Sequence, residues 1–154
     1  MKNLRIAIFT HNYPASQTDR QNAGIFVHDI VTELKRLGFK VMVLCQGSSD
    51  KEETVGEIPV FWFSGYGGKN LGQLRFWNPQ DILRFALFFY KGIKRAGALA
   101  KRKPAISLAM WAFPGGVFAW YLKKRFGVPY AVWTLGSDIY VYAKVPILRE
   151  LIKK

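Results

Sequence analysis

Residues 25–45 read IFVHDIVTELKRLGFKVMVLC and predict a helix followed directly by a strand. The helix is predicted because apolar residues recur every three or four positions, with charged residues between them. Those apolar residues are Val27, Ile30, Val31, Leu34 and Leu37. Gly38 predicts the helix end, because glycine readily takes the left-handed conformation that follows a helix C-terminus. The uninterrupted apolar run at residues 41–45 then predicts a buried strand.

The same alternation of strands and helices extends outward over the whole chain. Strands are predicted at residues 4–9, 41–45, 58–63, 105–110 and 130–134, and residues 46–57 are predicted to be a polar linker. Helices are predicted between them, the longest from the capping sequence Asn78-Pro79-Gln80-Asp81 to about residue 103. This pattern predicts an α/β fold: a Rossmann-like parallel sheet in the order 3-2-1-4-5 with helices on both faces. Pro59 suggests that the third strand lies at an edge.

Length and composition favour one domain with a core of its own. The chain has 154 residues, half of them apolar, and a domain of this size buries most of its surface without a disulfide. Cys45 is the only cysteine and there are two histidines, so the sequence predicts neither a disulfide nor a structural zinc site. A reducing, cytoplasmic environment is expected.

Residues 104–122 form an uncharged stretch long enough to cross a membrane. Pro114-Gly115-Gly116 interrupts it, however, and divides it into a strand-sized piece and the start of a helix. We therefore predict a strand, a turn and a helix here rather than a membrane-spanning segment.

The charge is strongly positive and concentrated. The net charge is +13, and residues 69–103 carry nine cations against the single acid Asp81. This excess predicts an anionic partner, and the 16% of aromatic residues favours an anionic membrane surface over nucleic acid. The predicted membrane-surface residues are Arg75, Trp77, Arg84, Lys91 and Arg95. A core helix with a solvated basic stripe and a basic nucleic-acid-binding module remain the alternatives.

Parallel α/β sheets bind ligands beyond the carboxyl ends of their strands, where the strand order reverses. Here that point lies between the first and fourth strands. The candidate residues there are His11, Asn12, Ala23, Gly24, Trp111, Gly136, Ser137 and Asp138. Each also has a purely structural explanation: a glycine before a helix often serves geometry, a loop histidine is often solvated, and Asp138 suits a helix cap. Neither a nucleophile elbow nor a P-loop motif is present.

Six segments in register resemble the N-terminal domain of family 4 glycosyltransferases of the GT-B fold. They are IAIFTHNYP (6–14), AGIFVH (23–28), RLGFKV (36–41), WAFPGG (111–116), GVPY (127–130) and TLGSDIY (134–140). Together they span nearly the whole chain.

The resemblance implies transfer of a sugar from a nucleotide-diphosphate sugar to an acceptor, without a metal or other cofactor, in the cleft between two Rossmann-like domains. Because the chain also carries the basic, aromatic-rich segment, we expect a glycan or lipid-linked acceptor and a protein peripheral to the inner face of the membrane. The resemblance also implies that Gly24 approaches the donor pyrophosphate, at the helix start where Ala23-Gly24 already favours an anion, and that the turn of Gly136, Ser137 and Asp138 lines the cleft. The strand-end argument adds His11, Asn12 and Trp111 to the acceptor side of that cleft. The family turn H-G-x-D has Leu135 in place of the histidine here, which shifts the expected catalytic role to Asp138. The second, donor-binding domain of the family has no counterpart in these 154 residues, so we expect the chain to be inactive alone or to act with a separate donor-binding subunit.

Overall fold

The computed structural model describes residues 4–16, 24–65, 74–75 and 77–136. Within them the strands are β1 (Arg5–Thr10), β2 (Lys40–Gly47), β3 (Lys51–Val55), β4 (Ile58–Ser64), β5 (Ile106–Met110) and β6 (Tyr130–Trp133). The helices are α1 (Ile25–Arg36), α2 (Pro79–Ala100) and α3 (Gly115–Phe126). The α/β class is therefore confirmed.

The strands form one sheet in the order β3-β4-β2-β1-β5-β6. All pairings are parallel except that of β3 with β4. The five predicted strands are neighbours in the order expected, but the predicted sheet was wrong in lacking β3, which lies inside the supposed linker. Gly56 and Glu57 connect β3 to β4 with φ values of 54° and 66°, as a two-residue type I′ turn requires.

Pro59 does not mark an edge strand, because β4 pairs with β2 on one side and with β3 on the other. Pairing with β2 begins only at Val60, so Pro59 lies outside that ladder and its missing N–H leaves no gap in it. The edge position belongs to β3, whose side chains are mostly exposed.

Helices cover both faces of the sheet, as predicted. Ala7 and Phe9 on β1 belong to a buried cluster that includes residues of α2 and α3. Ile8, between them, belongs to a second cluster that includes Val27 and Val31 of α1. This alternation follows from the two-residue period of a strand.

The predicted helix ends are confirmed in detail. Gly38 has a φ of 91°, its N–H donates to the Lys35 carbonyl, and the Phe39 N–H donates to the Leu34 carbonyl, which together form a Schellman motif. At the start of α2 the Asn78 side chain accepts the Gln80 N–H at 2.9 Å. The helix ends at Ala100, slightly earlier than expected.

The uncharged stretch 104–122 is divided between β5, a turn and the first half of α3, as predicted. Among the described residues, no helix combines the length and hydropathy needed to span a membrane.

Candidate functional site

The strand order reverses at β1, which pairs with β2 on one side and β5 on the other. Two helices begin at this carboxyl edge, α1 on one face and α3 on the other. The start of α3 lies close against the strands: a Cβ on Gly115 would stand 3.0 Å from the Met110 carbonyl oxygen and 3.1 Å from that of Phe9. The N-termini of both helices, with their partly positive charge, therefore border the switch point.

Gly24 packs directly on the turn that follows β1. A Cβ at this position would lie 2.5 Å from the carbonyl carbon and oxygen of Asn12 and 2.7 Å from the Tyr13 nitrogen. The turn itself is held by Thr10, whose hydroxyl donates to the Asn12 carbonyl at 2.9 Å and accepts the Asn12 N–H at 3.3 Å. Only glycine permits this approach, so Gly24 and Asn12 meet as the sequence predicted.

His11 and Trp111 form an aromatic pair just beyond the carboxyl ends of the neighbouring strands β1 and β5. Their ring centroids are 4.1 Å apart, and the Phe26 ring lies 5.6 Å from Trp111 on the α1 side. Trp111 has a φ of 72°, a conformation that bulky side chains rarely adopt. The strained backbone at Trp111 therefore lies at the same edge as the His11 ring.

The segment after β6 joins the same edge. The Trp111 N–H donates to the Trp133 carbonyl at 2.9 Å, which places the end of β6 beside Trp111. Leu135 packs against the buried cluster that contains Trp111, and Gly136 follows with a φ of 96°. Of the predicted site residues, Ala23, Ser137 and Asp138 lie outside the described residues.

A buried polar pair that the sequence pattern does not reveal lies beneath this turn. The Tyr13 hydroxyl and His28 Nδ1 are 2.9 Å apart, and both residues are buried. Burial, with a smaller contribution from Cys45, raises the pKa of Tyr13 well above its usual range. The helical pattern predicts His28 on the polar side of α1, but that prediction is wrong, because His28 lies on the buried face three residues before Val31.

At the start of α2, Asp81 is fully buried and organises the preceding turn. Its carboxylate accepts the Arg75 backbone N–H at 3.0 Å and an Arg84 guanidinium N–H at 2.8 Å. The charge of Arg84, expected at a membrane surface, thus balances a buried carboxylate. The side chain of Arg75 is exposed beside it.

Lys91 and Arg95 follow Arg84 at spacings of seven and four residues along α2, and Arg102 comes just after the helix; these cations lie along the β3–β4 side of the sheet. Lys91 donates to the Ser64 hydroxyl, and Arg102 pairs with Glu52 at 2.9 Å. Asp50 accepts the Ser64 N–H, and this bond, with the nearby charges of Lys91 and Arg95, lowers its pKa. Most of the basic stripe therefore serves contacts within the chain.

A different face of α2 carries exposed apolar side chains, and we call it the α2 outer face. Trp77, immediately before the helix, is 81% exposed, and Leu83 and Tyr90 are 59% and 64% exposed. Leu87 is also exposed, and Lys94 follows one turn after Tyr90. The face carries both apolar surface and a cation.

The α2 outer face lies beside the site. On the inner side of the same helix, the rings of Phe85 and Phe89 are 6.3 Å and 5.6 Å from that of Phe113, two residues after Trp111. The first half of α2 therefore borders the carboxyl edge where His11 and Gly24 lie.

In the described part of the chain, no three His, Cys, Asp or Glu side chains are grouped as metal ligands would be. Comparison with protein-family models finds no match, and a search of curated proteins finds no significantly similar sequence. Support for a function therefore comes from the residues and their arrangement.

Proposed function

We propose that this chain forms the acceptor-side half of a GT-B glycosyltransferase, which moves a sugar from a nucleotide-diphosphate sugar to a lipid-linked or glycan acceptor. The observation that carries the proposal is the convergence of Gly24, Asn12, His11 and Trp111 at the switch point of a largely parallel sheet. These residues belong to three of the six segments that resemble the family.

The donor diphosphate would bind where α1 begins. Its first-turn amides and the helix dipole favour an anion, and Gly24 keeps the backbone surface there free of a Cβ. The acceptor sugar would lie against His11, the half-buried member of the pair, which Trp111 supports from the buried cluster behind it. Asp138 remains the proposed proton acceptor for the attacking hydroxyl.

The α2 outer face supports a lipid-linked acceptor in particular. Exposed rings and alkyl side chains at Trp77, Leu83 and Tyr90 suit the headgroup region of a bilayer. The helix packs on Phe113 through Phe85 and Phe89, so an acceptor held in the membrane would lie near the carboxyl edge without leaving the surface.

The test of donor binding is a titration of ¹⁵N-labelled protein with UDP-glucose, UDP and pyrophosphate, followed by amide NMR shifts. We expect saturable shifts at Gly24, His11 and the Trp111 indole, and none at Ile106 at the opposite strand end. Because the family uses two domains, sugar transfer by the purified chain is not expected. Absence of saturable shifts at the carboxyl edge with every nucleotide, or shifts confined to the amino edge, would refute the proposal.

Binding to an anionic membrane surface is a second candidate function, favoured by the exposure of the α2 outer face. Vesicles containing phosphatidylglycerol should co-sediment the protein, and L83Q together with Y90Q should weaken this. W120Q, at a ring that is also exposed but lies on α3, is the matched control. Equal loss in both variants, or tighter binding to RNA than to vesicles, would contradict the membrane assignment.

A further inference from the structure

A cavity of about 470 Å³ opens at the edge of the sheet opposite the candidate site. It lies at the amino ends of β1, β2 and β4, between the C-terminal ends of α1 and α2. Its volume falls within the range of small-molecule pockets. Neither the sequence motifs nor the proposed function involves this edge.

The rim of the cavity is strongly basic. Five cations line it, and the single carboxylate among the lining residues is Glu57, which pairs with Lys35. The cations are Arg5, Lys35, Lys40, Lys101 and Arg102. Arg102 pairs with Glu52, whereas Arg5, Lys40 and Lys101 have no carboxylate partner in the described part of the chain.

Compensation of helix dipoles does not account for this arrangement. Lys101 caps the C-terminal end of α2, where a cation is ordinarily favourable. Arg5 and Lys40, however, lie on strands β1 and β2. Arg5 is also held in place, because its guanidinium donates to the Arg102 carbonyl at 2.8 Å. Three unpaired cations converge here from three separate elements.

The floor of the cavity is apolar. Met42, Ile58 and Phe61 line it and are buried, and Phe39 is half-buried at its side. The Arg102 guanidinium lies 5.8 Å from the centre of the Phe61 ring. A cation of the rim is therefore in contact with the apolar floor. Among the described lining residues there is no serine, threonine, asparagine or glutamine. The cavity thus offers positive charge and apolar surface, but few uncharged polar side chains that could form hydrogen bonds with a sugar or a nucleobase.

We propose that this cavity binds a small amphiphilic anion, an alkyl or aryl group that carries a phosphate or carboxylate. The apolar body lies on Phe61, Met42 and Ile58, and the anionic group lies among Arg5, Lys40 and Lys101. This cavity is separate from the proposed sugar-transfer site, and the proposal does not depend on the proposed function.

Calorimetric titration with octyl phosphate, octanoate, octanol and inorganic phosphate, below micelle-forming concentrations, tests the proposal. Octyl phosphate or octanoate should bind, and the stronger of the two identifies the head group. Octanol and inorganic phosphate should each bind at least about tenfold more weakly, because each lacks one half of the interaction. Amide shifts should centre on Lys40, Ile58 and Lys101, which distinguishes this cavity from the α2 outer face.

Charge reversal provides the matched comparison. K40E combined with K101E should weaken octyl phosphate binding by about tenfold or more, and the loss should shrink at high salt. K94E combined with K124E removes as much charge elsewhere and should change binding less than about twofold. All four lysines are exposed, so both variants should fold. Equal binding by the two variants, equal affinity for octanol, or shifts away from the cavity would overturn the proposal.

Discussion

Replacement of Gly92 by alanine should destabilise the protein, although the same change favours most helices. Gly92 lies in the middle of α2, where α3 packs against it. A Cβ there would stand 2.4 Å from Cε1 and Cζ of Phe118 and 3.3 Å from its Cε2. Phe118 is 3% exposed, and its ring cannot withdraw freely because four other rings surround it. Those rings belong to Phe9, Phe63, Phe88 and Phe89.

Two effects of opposite sign decide the magnitude. Alanine in place of a helical glycine stabilises by about 0.5–1 kcal/mol, whereas forcing extra volume into a packed core costs about 1–3 kcal/mol. We therefore expect G92A to lower the free energy of unfolding by about 1–2 kcal/mol. Gly97 is the control within the same helix, since its Cβ would meet only the Tyr121 hydroxyl at 3.7 Å. G97A should stabilise by about 0.5–1 kcal/mol.

Urea unfolding followed by circular dichroism measures both changes, provided that the slopes with denaturant remain equal. F118L removes the ring atoms that the new methyl group would meet. The double variant G92A/F118L should therefore lose less stability than the two single variants together. If G92A proves as stable as G97A, or if the two substitutions at the contact are additive, the packing argument is wrong.

Three further predictions concern the site and its supports. G24A places a methyl group against the backbone of Asn12, so it should cost about 1–3 kcal/mol in urea unfolding and abolish the nucleotide-induced shifts; an unchanged midpoint would contradict this. D50N should change how stability depends on pH, because folding lowers the pKa of Asp50 below its ordinary value of 3.8. The stabilisation that the Asp50 carboxylate provides is complete above pH 3.8 and is lost as the pH falls through the pKa of Asp50 in the folded protein. The difference in unfolding free energy between wild type and D50N should therefore shrink below about pH 4, and a constant difference would refute the role of Ser64. D81A removes a buried acceptor of two hydrogen bonds and should cost about 2–3 kcal/mol, measured in the same way, whereas a loss below 0.5 kcal/mol would show that the turn holds without it.

The fold could be predicted because, at most helices and strands, the capping residues and the spacing of apolar residues indicate the structure that also buries the apolar side chains. The helical spacing of apolar residues agrees with Gly38 on where α1 ends and with Asn78 on where α2 begins. The apolar runs form the buried strands. Strand β3 escaped prediction because its sequence, KEETV, lies at an edge and buries only Val55. Its sole signal is Gly56, which permits a two-residue hairpin turn.

The candidate site could be predicted in part for a topological reason. Residues that follow adjacent parallel strands must emerge at one edge, so His11 and Trp111 meet although 100 positions separate them. The Tyr13–His28 pair could not be found in this way. A helical wheel assigns a face by its apolar members, and a histidine at the margin of that face is buried only because a tyrosine hydroxyl from another segment reaches it.

The position of the positive charge in the sequence is a poor guide to which cations are available to bind an anion. Residues 69–103 hold most of the excess positive charge, and this concentration predicted a surface that binds an anionic membrane. Arg84 instead pairs with Asp81 within α2, whereas Lys91 contacts Ser64 on β4 and Arg102 contacts Glu52 on β3, so the last two cations attach this part of the chain to the sheet. The cations without a carboxylate partner in the described part of the chain include Arg5 and Lys40, which lie far from that segment in sequence. Because only a cation without an acidic partner gains a full interaction from an incoming anion, we expect the amino edge to bind anions more strongly than the basic stripe of α2 does.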